Sequence, residues 1–272
     1  MKRILLAIDF RNEMSGAFDY TIKLAHKLGA EVTLFHTYGD GELMTDEDEV
    51  IKHRRTINKI RSFVNNQLDA DKWNVPIHYK AERAFPNTAI KKIADAQEFD
   101  LVVLGIKRGQ YSIDLLLGSK AIELLLDLSC PVLIVPERFR TEEIQRLGCT
   151  VDFKFRDIAL IKRLRTMGKR LGENSSVHCL HVFERSADED RIFKDIAILK
   201  EIFDRVKSPP VEFDLTIGTL TPEINKYAEM RELDLLAMNT HQKKLLQKWL
   251  ANDVTASVAR AITVPLLVFK NL

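Results

Sequence analysis

Residues 105–119 are the part of the chain best suited to chemistry. Gly105-Ile106-Lys107-Arg108-Gly109 runs on through Leu117 to Gly118-Ser119. The apolar run Leu101-Val102-Val103-Leu104 precedes this segment, and a stretch with helical spacing follows it. A loop between a strand's end and a helix's start aims backbone N–H groups and the positive end of the helix dipole at an anion. Glycines let the main chain approach such a ligand closely and adopt φ > 0. Ser119 has two readings, a helix cap or a hydroxyl donor to a phosphate oxygen. The chemistry on offer is phosphate binding. Hydrolytic signatures are missing from the sequence, which has neither a Gly-x-Ser-x-Gly elbow nor a Walker-type Gly-Lys-Ser/Thr loop. His36 and His181 end two apolar runs with no metal-ligating partner beside either. Each reads as a part-buried histidine with one hydrogen bond.

The elements that must position this loop alternate in type. Short apolar runs at 3–8, 31–36, 75–80, 101–105 and 131–135 read as strands. Helical spacing fills the intervals: 15–28 closed by Gly29, a long polar helix opening at Thr45 with Asp46 and Asp48, then 87–96 and 119–127. The apolar stripe of the long helix is Val50, Ile51, Ile57, Ile60, Phe63, Val64 and Leu68. Alternation of this kind gives a mostly parallel sheet with helices on both faces. The second half repeats the order, with strands at 148–151, 177–183, 211–217, 233–238 and 265–269 and helices at 157–171, 190–206, 222–230 and 254–261.

Local matches support the repeat. Asp9-Phe10-Arg11 parallels Asp152-Phe153-Lys154, and Leu34-Phe35-His36 parallels Cys179-Leu180-His181. Asp100 to Gly105 parallels Asp234 to Asn239, and Cys130 to Val135 parallels Thr263 to Val268. A repeat this long is two fused domains, expected at 1–140 and 141–272, each a doubly wound, Rossmann-like α/β unit with a five-stranded sheet.

Charge is balanced. Lys+Arg 41 against Asp+Glu 39 gives +2, which argues against nucleic acid as a partner. The basic residues Arg156, Lys162, Arg163, Arg165, Lys169 and Arg170 spread around one helix and read as solvated surface, as does the Lys243, Lys244 and Lys248 loop. Apolar stretches such as 128–136 fall far short of the ~20 residues that span a bilayer, so no membrane partner is expected. Three widely spaced cysteines without a Cys-x-x-Cys pair read as reduced thiols in a cytosolic protein. Cys130 and Cys179 are expected in the core, and Cys149 is expected to be partly exposed.

The order and spacing of Ile4-Leu5-Leu6-Ala7-Ile8-Asp9, Leu101 to Gly105, Leu117-Gly118-Ser119 and Cys130 to Val135, echoed in the second half, give a further reading. The whole chain resembles a tandem universal stress protein. That resemblance implies a cytoplasmic, non-catalytic stress-response protein that binds ATP or another adenine nucleotide. It implies a ligand set of Asp9 near adenine and ribose, the backbone of Thr37 just after the second strand, and Gly105, Arg108, Gly109, Gly118 and Ser119 around the phosphates. For Asp9 the alternative is a turn residue at a strand's end. It also implies pairing of the two domains through their last strands, with a homodimer and an unidentified protein partner as further expectations.

The nucleotide-binding pattern of that family is Gly-x2-Gly-x9-Gly-Ser/Thr, whereas this chain has Gly-x3-Gly-x8-Gly-Ser, with Arg108 at the second glycine position. Gly109 serves after a small shift, or Arg108 fills the phosphate space. The second half carries Asn239, Gln242, Asn252 and Asp253 at the matching places, and a carboxylate at Asp253 repels phosphate. The remaining alternatives are a nucleotide-independent scaffold with both sites degenerate, and a slow ATPase.

Overall fold

The structure is a computed structural model that describes residues 1–10, 14–39, 45–68, 72–96, 98–106, 128–151, 155–183, 190, 193–194, 196–198, 201, 211–239 and 263–269. Two compact units divide the chain, Met1–Arg140 and Thr141–Leu272. The expected helices at 119–127 and 254–261, and most of that at 190–206, lie outside the described residues.

In the first unit β1 (Arg3–Ala7), β2 (Glu31–Tyr38), β3 (Ile77–Arg83), β4 (Leu101–Ile106) and β5 (Val132–Pro136) form a sheet of order β3-β2-β1-β4-β5. Every pairing in it is parallel. The connections β1→β2 and β2→β3 step one way and β3→β4 steps back. Right-handed crossovers therefore put α1 (Ser15–Leu28) and α2 (Asp46–Gln67) on one face and α3 (Pro86–Asp95) on the other. Phe18 of α1 packs edge-on against Phe63 of α2, at 5.3 Å between centroids, as a shared face requires. With helices on both faces the middles of the inner strands are buried, as at Ile4 to Leu6 of β1 and Leu101 to Leu104 of β4.

Local chemistry sets the helix ends. Gly29 takes φ 58 beyond α1, and Ala30 N–H and Gly29 N–H reach back to the Ala25 and His26 carbonyls, a Schellman closure. Thr45 accepts from the Asp48 N–H while the Asp48 carboxylate accepts from Thr45, a capping box. Its hydrogen bonds with Thr45 hold the Asp48 carboxyl below the usual range. The expected stripe of α2 holds only in its second half. Ile60 and Val64 are buried, but Val50 and Ile51 lie on the exposed side, 59% and 42% accessible. The acidic first turn keeps this end of α2 in water.

The second unit repeats the plan with β6 (Arg146–Thr150), β7 (Ser176–Phe183), β8 (Val211–Ile217), β9 (Leu235–Asn239) and β10 (Leu266–Phe269), ordered β10-β9-β6-β7-β8 and parallel. Its described helices are α4 (Phe155–Leu171) and α5 (Leu220–Met230). Arg231, just past α5, holds both carboxylate oxygens of Asp214 at 2.8 Å and Glu212 at 2.9 Å, stitching the helix end to the edge strand β8. Cys149 is fully buried, not partly exposed. β6 is a central strand paired on both sides, so a side chain at its middle faces a packed layer.

One device appears in both units. The Asp100 carboxylate, ahead of β4, accepts from Lys2 N–H (2.6 Å) and Arg3 N–H (3.0 Å) at the start of β1. Asp234, ahead of β9, accepts from Gln145 N–H (3.0 Å) and Arg146 N–H (2.8 Å) at the start of β6. Each carboxylate pins two neighbouring strand starts in register. Burial pushes the Asp100 carboxyl up, but the two N–H bonds, with the positive charges of the N-terminus and Arg3, outweigh it and hold the group below the ordinary carboxylate range. A depressed folded-state pKa contributes stability that is present above the unfolded value, ~3.9, and is lost as pH falls through the folded one. Asp100→Asn should therefore cost about 1 kcal/mol near pH 7, discounted for exposure. Urea midpoints of wild type and variant should converge as pH drops below about 4. A gap of constant size across that range would contradict the assigned role.

Candidate functional site

The site follows from a difference in strand length. β1 makes its last pairings at Ala7, with Phe35 of β2 and Leu104 of β4. β2 then continues through His36, Thr37 and Tyr38, and β4 through Gly105 and Ile106. The two neighbours overrun the central strand and leave a notch at its carboxyl end. Sheet winding reverses between β1 and β4, and a doubly wound fold opens its ligand crevice at such a reversal. Asp9 stands on the notch floor and is buried, 4% exposed. Gly105 lies on one wall. Thr37 lies on the other, within β2 and not just after it, because the β2–β3 ladder extends to Tyr38 (Thr37 is level with Glu82). Thr37 is half-buried and clear of the β1 ladder, which has ended below it.

A histidine fixes the floor. Ile8 N–H donates to the Phe35 carbonyl at 2.9 Å. His36 Nδ1, 2.8 Å from the Ile8 carbonyl, must carry its proton to donate there, since a carbonyl only accepts. Both polar main-chain groups of Ile8, the residue ahead of Asp9, are thus held by β2. Phe10 packs edge-on against His36 at 4.7 Å and lies 6.4 Å from Phe63, and Lys59 Nζ sits 4.3 Å above the Phe10 ring. The second unit has the same clamp: Val151 N–H reaches Leu180 O at 3.0 Å and His181 Nδ1 reaches Val151 O at 2.8 Å. The single-hydrogen-bond reading of these histidines captured the contact but missed its purpose, which is to hold a strand end. Their matching places in the two halves were the available signal.

Gly105 has a role that the loop spacing did not reveal. A Cβ there would fall 2.8 Å from Met14 Cε, 3.0 Å from Met14 Sδ and 3.1 Å from Ala17 Cβ. The glycine admits the start of α1 against β4, a packing role of the kind a glycine also plays in dinucleotide folds. In the second unit Asn239 stands at this level and is buried, so a carboxamide occupies the corresponding wall. Arg108, Gly109, Gly118 and Ser119 lie outside the described residues, as do Gln242, Asn252 and Asp253. The structure therefore brings together Asp9, Thr37 and Gly105 of the expected set. Among the described residues no group of three or more His, Cys, Asp or Glu is placed to hold a metal ion, and no helix is long and apolar enough to cross a membrane.

Comparison with known proteins bears on both halves. The model of the Universal stress protein family matches residues 1–136 and 164–270. The Synechocystis universal stress protein Slr1230 is 20% identical over 294 residues, covering 99% of this chain and 100% of its own. Among solved structures, a universal stress protein from Archaeoglobus fulgidus superposes with a TM-score of 0.70 at 19% identity, over 99% of this chain and 96% of that one. A functionally unknown protein from Pseudomonas aeruginosa gives 0.66 at 12% identity, over 99% and 92%. At such identities the structural likenesses establish a shared fold.

The Gly105–Met14 contact yields a direct test. Gly105→Ala should destabilise the first unit by no more than about 1 kcal/mol, because the flexible end of Met14 can swing aside at small cost and the 3.0–3.1 Å approaches to Met14 Sδ and Ala17 Cβ need shifts of only a few tenths of an ångström. The same change in a Met14→Ala background should cost clearly less, and thermal unfolding of the four proteins measures the coupling. Equal costs in both backgrounds would show that Met14 is not what the glycine accommodates.

Proposed function

The chain belongs to the universal stress protein family, and we propose on that premise that it is a stress-response protein whose N-terminal unit binds an adenine nucleotide, ATP or a close relative, without turning it over. The observation that carries this reading is the notch over β1, where Asp9, Thr37 and Gly105 converge at the winding reversal of a parallel sheet. In this reading Asp9 faces the ribose and adenine, and the Thr37 backbone, clear of the β1 ladder, meets the base. The chain beyond Gly105 then takes the phosphates, with Gly109 and Gly118 for close approach, Ser119 as a donor, and Lys107 and Arg108 as charge.

The C-terminal unit keeps the histidine clamp but replaces the glycines with Asn239, Gln242 and Asn252 and adds Asp253. A like charge close to phosphate costs on the order of 1 kcal/mol even near the surface, so this half is read as empty of nucleotide. The sequence offers no Walker loop or nucleophile elbow to support turnover.

Met14 favours a second reading. The space spared by Gly105 is filled by its side chain, so the glycine has a reason to be there without a ligand. On that reading the protein is a nucleotide-independent scaffold.

Titration calorimetry with ATP separates the two. The nucleotide reading expects one site per chain, lost in Gly118→Val because a β-branched side chain blocks the backbone approach. It also expects no hydrolysis near the typical ~10 s⁻¹ of enzymes. No heat of binding would support the scaffold, and two equivalent sites, or one that survives Gly118→Val, would show that the ligand is placed in the wrong half.

A further inference from the structure

Two of the three cysteines in 272 residues meet at one point. Cys149 on β6 and Cys179 on β7 are directly opposite each other in the parallel ladder, and their Sγ atoms are 3.2 Å apart. Both are fully buried. Neighbouring strands lie ~4.8 Å apart, within the ~4.4–6.8 Å between Cα atoms that a disulfide spans. Closing the bond requires the sulfurs to approach from 3.2 Å to ~2.05 Å, a side-chain adjustment without a change of register.

The internal repeat shows that packing does not demand thiols here. The matching positions in the first unit are Leu6 and Leu34, paired in the same register and fully buried. Two leucines fill that layer, and the second unit has two cysteines instead. Cys130, buried in the first unit, serves as an internal control.

We propose that Cys149 and Cys179 are a reversible dithiol–disulfide pair in the C-terminal unit, oxidised by hydrogen peroxide. One thiolate attacks the peroxide: an S–O bond forms, the O–O bond breaks, and the leaving hydroxide departs as water. The second thiol then attacks the sulfenic sulfur: the S–S bond forms, the S–O bond breaks, and a second water leaves. Two thiols and one peroxide thus give one disulfide and two waters, and the sulfurs supply the two electrons. Burial, with Cys149 alongside and the Asp157 and Asp214 carboxylates nearby, pushes the Cys179 thiol well up. Cys179 therefore stays protonated in the closed sheet, and the buried pair reacts through local opening, which favours a small neutral oxidant.

The full-length protein is exposed to hydrogen peroxide, quenched, unfolded and alkylated with N-ethylmaleimide. The reduced protein should take three labels. The oxidised protein should take one, on Cys130, after an intact-mass loss of about 2 Da for the two hydrogens removed. A linked Cys149–Cys179 peptide should be found, dithiothreitol should restore all three labels, and sub-denaturing urea should speed the reaction. Cys179→Ala, which leaves the unfolded-state labelling of Cys149 measurable, should form no such link. Three labels after peroxide in both buffer and sub-denaturing urea would overturn the proposal, as would a link through Cys130 or label loss that dithiothreitol does not reverse. Faster reaction with glutathione disulfide than with peroxide would overturn the oxidant class.

Discussion

Each unit depends on a single constraint, the parallel pairing of short strands that cannot be joined by hairpins. Every connection must cross a face of the sheet, and crossovers of one hand dictate which face it takes. In the first unit the chain winds outward from β1 through β2 to β3, then returns to lay β4 on the other side of β1. This return covers both faces, which lets the middles of β1 and β4 be continuously apolar. It also leaves a gap between helices where the winding turns back. Because β1 is shorter than the strands beside it, the gap has a floor and two walls. The candidate site is thus a by-product of how the sheet is closed.

Two polar devices keep that geometry in register, one at each end of the central strand. At the entry a carboxylate, Asp100 or Asp234, takes up two N–H groups that would otherwise lack a ladder partner. At the exit an imidazole, His36 or His181, holds the last carbonyl before the chain turns away. Both devices persist in the half whose loop sequence has lost its glycines. They belong to the scaffold, and what distinguishes the halves as sites is the wall at Gly105 or Asn239 and the loop beyond it.

The sequence revealed the alternation of elements, the duplication and the continuous burial of the central strands, because hydrophobic period and turn residues report these directly. Apolar runs mark strand limits only to within one to three residues where a ladder runs past them, as at Thr37 and Tyr38 of β2 and Ala81 to Arg83 of β3. Val50 and Ile51 fit the stripe yet lie exposed, because helical spacing shows that a stripe exists but not how far along the helix the sheet reaches. The full burial of Cys149 departs from the sequence expectation for a related reason. Gly148-Cys149-Thr150 has weak strand character, and burial came from its central place in the sheet, which no local pattern encodes. The same stretch falls between the two segments that match the family. The Gly105 contact was invisible because it joins residues far apart in sequence.

The junction between the units has a consequence for how such a chain can arise. Arg140 donates to the carbonyls of Glu137 and Phe139 and to Ser15 Oγ, all in the first unit. Thr141, the next residue, hydrogen-bonds to Asp234 and Glu143 in the second. Along the chain, the contacts of one unit thus give way to those of the other across a single peptide bond, with no spacer residue between. An ancestral gene copied head to tail could be joined in frame here without inventing a linker. Extra residues inserted at this bond would interrupt neither set of contacts, making it the natural place for length variation among descendants.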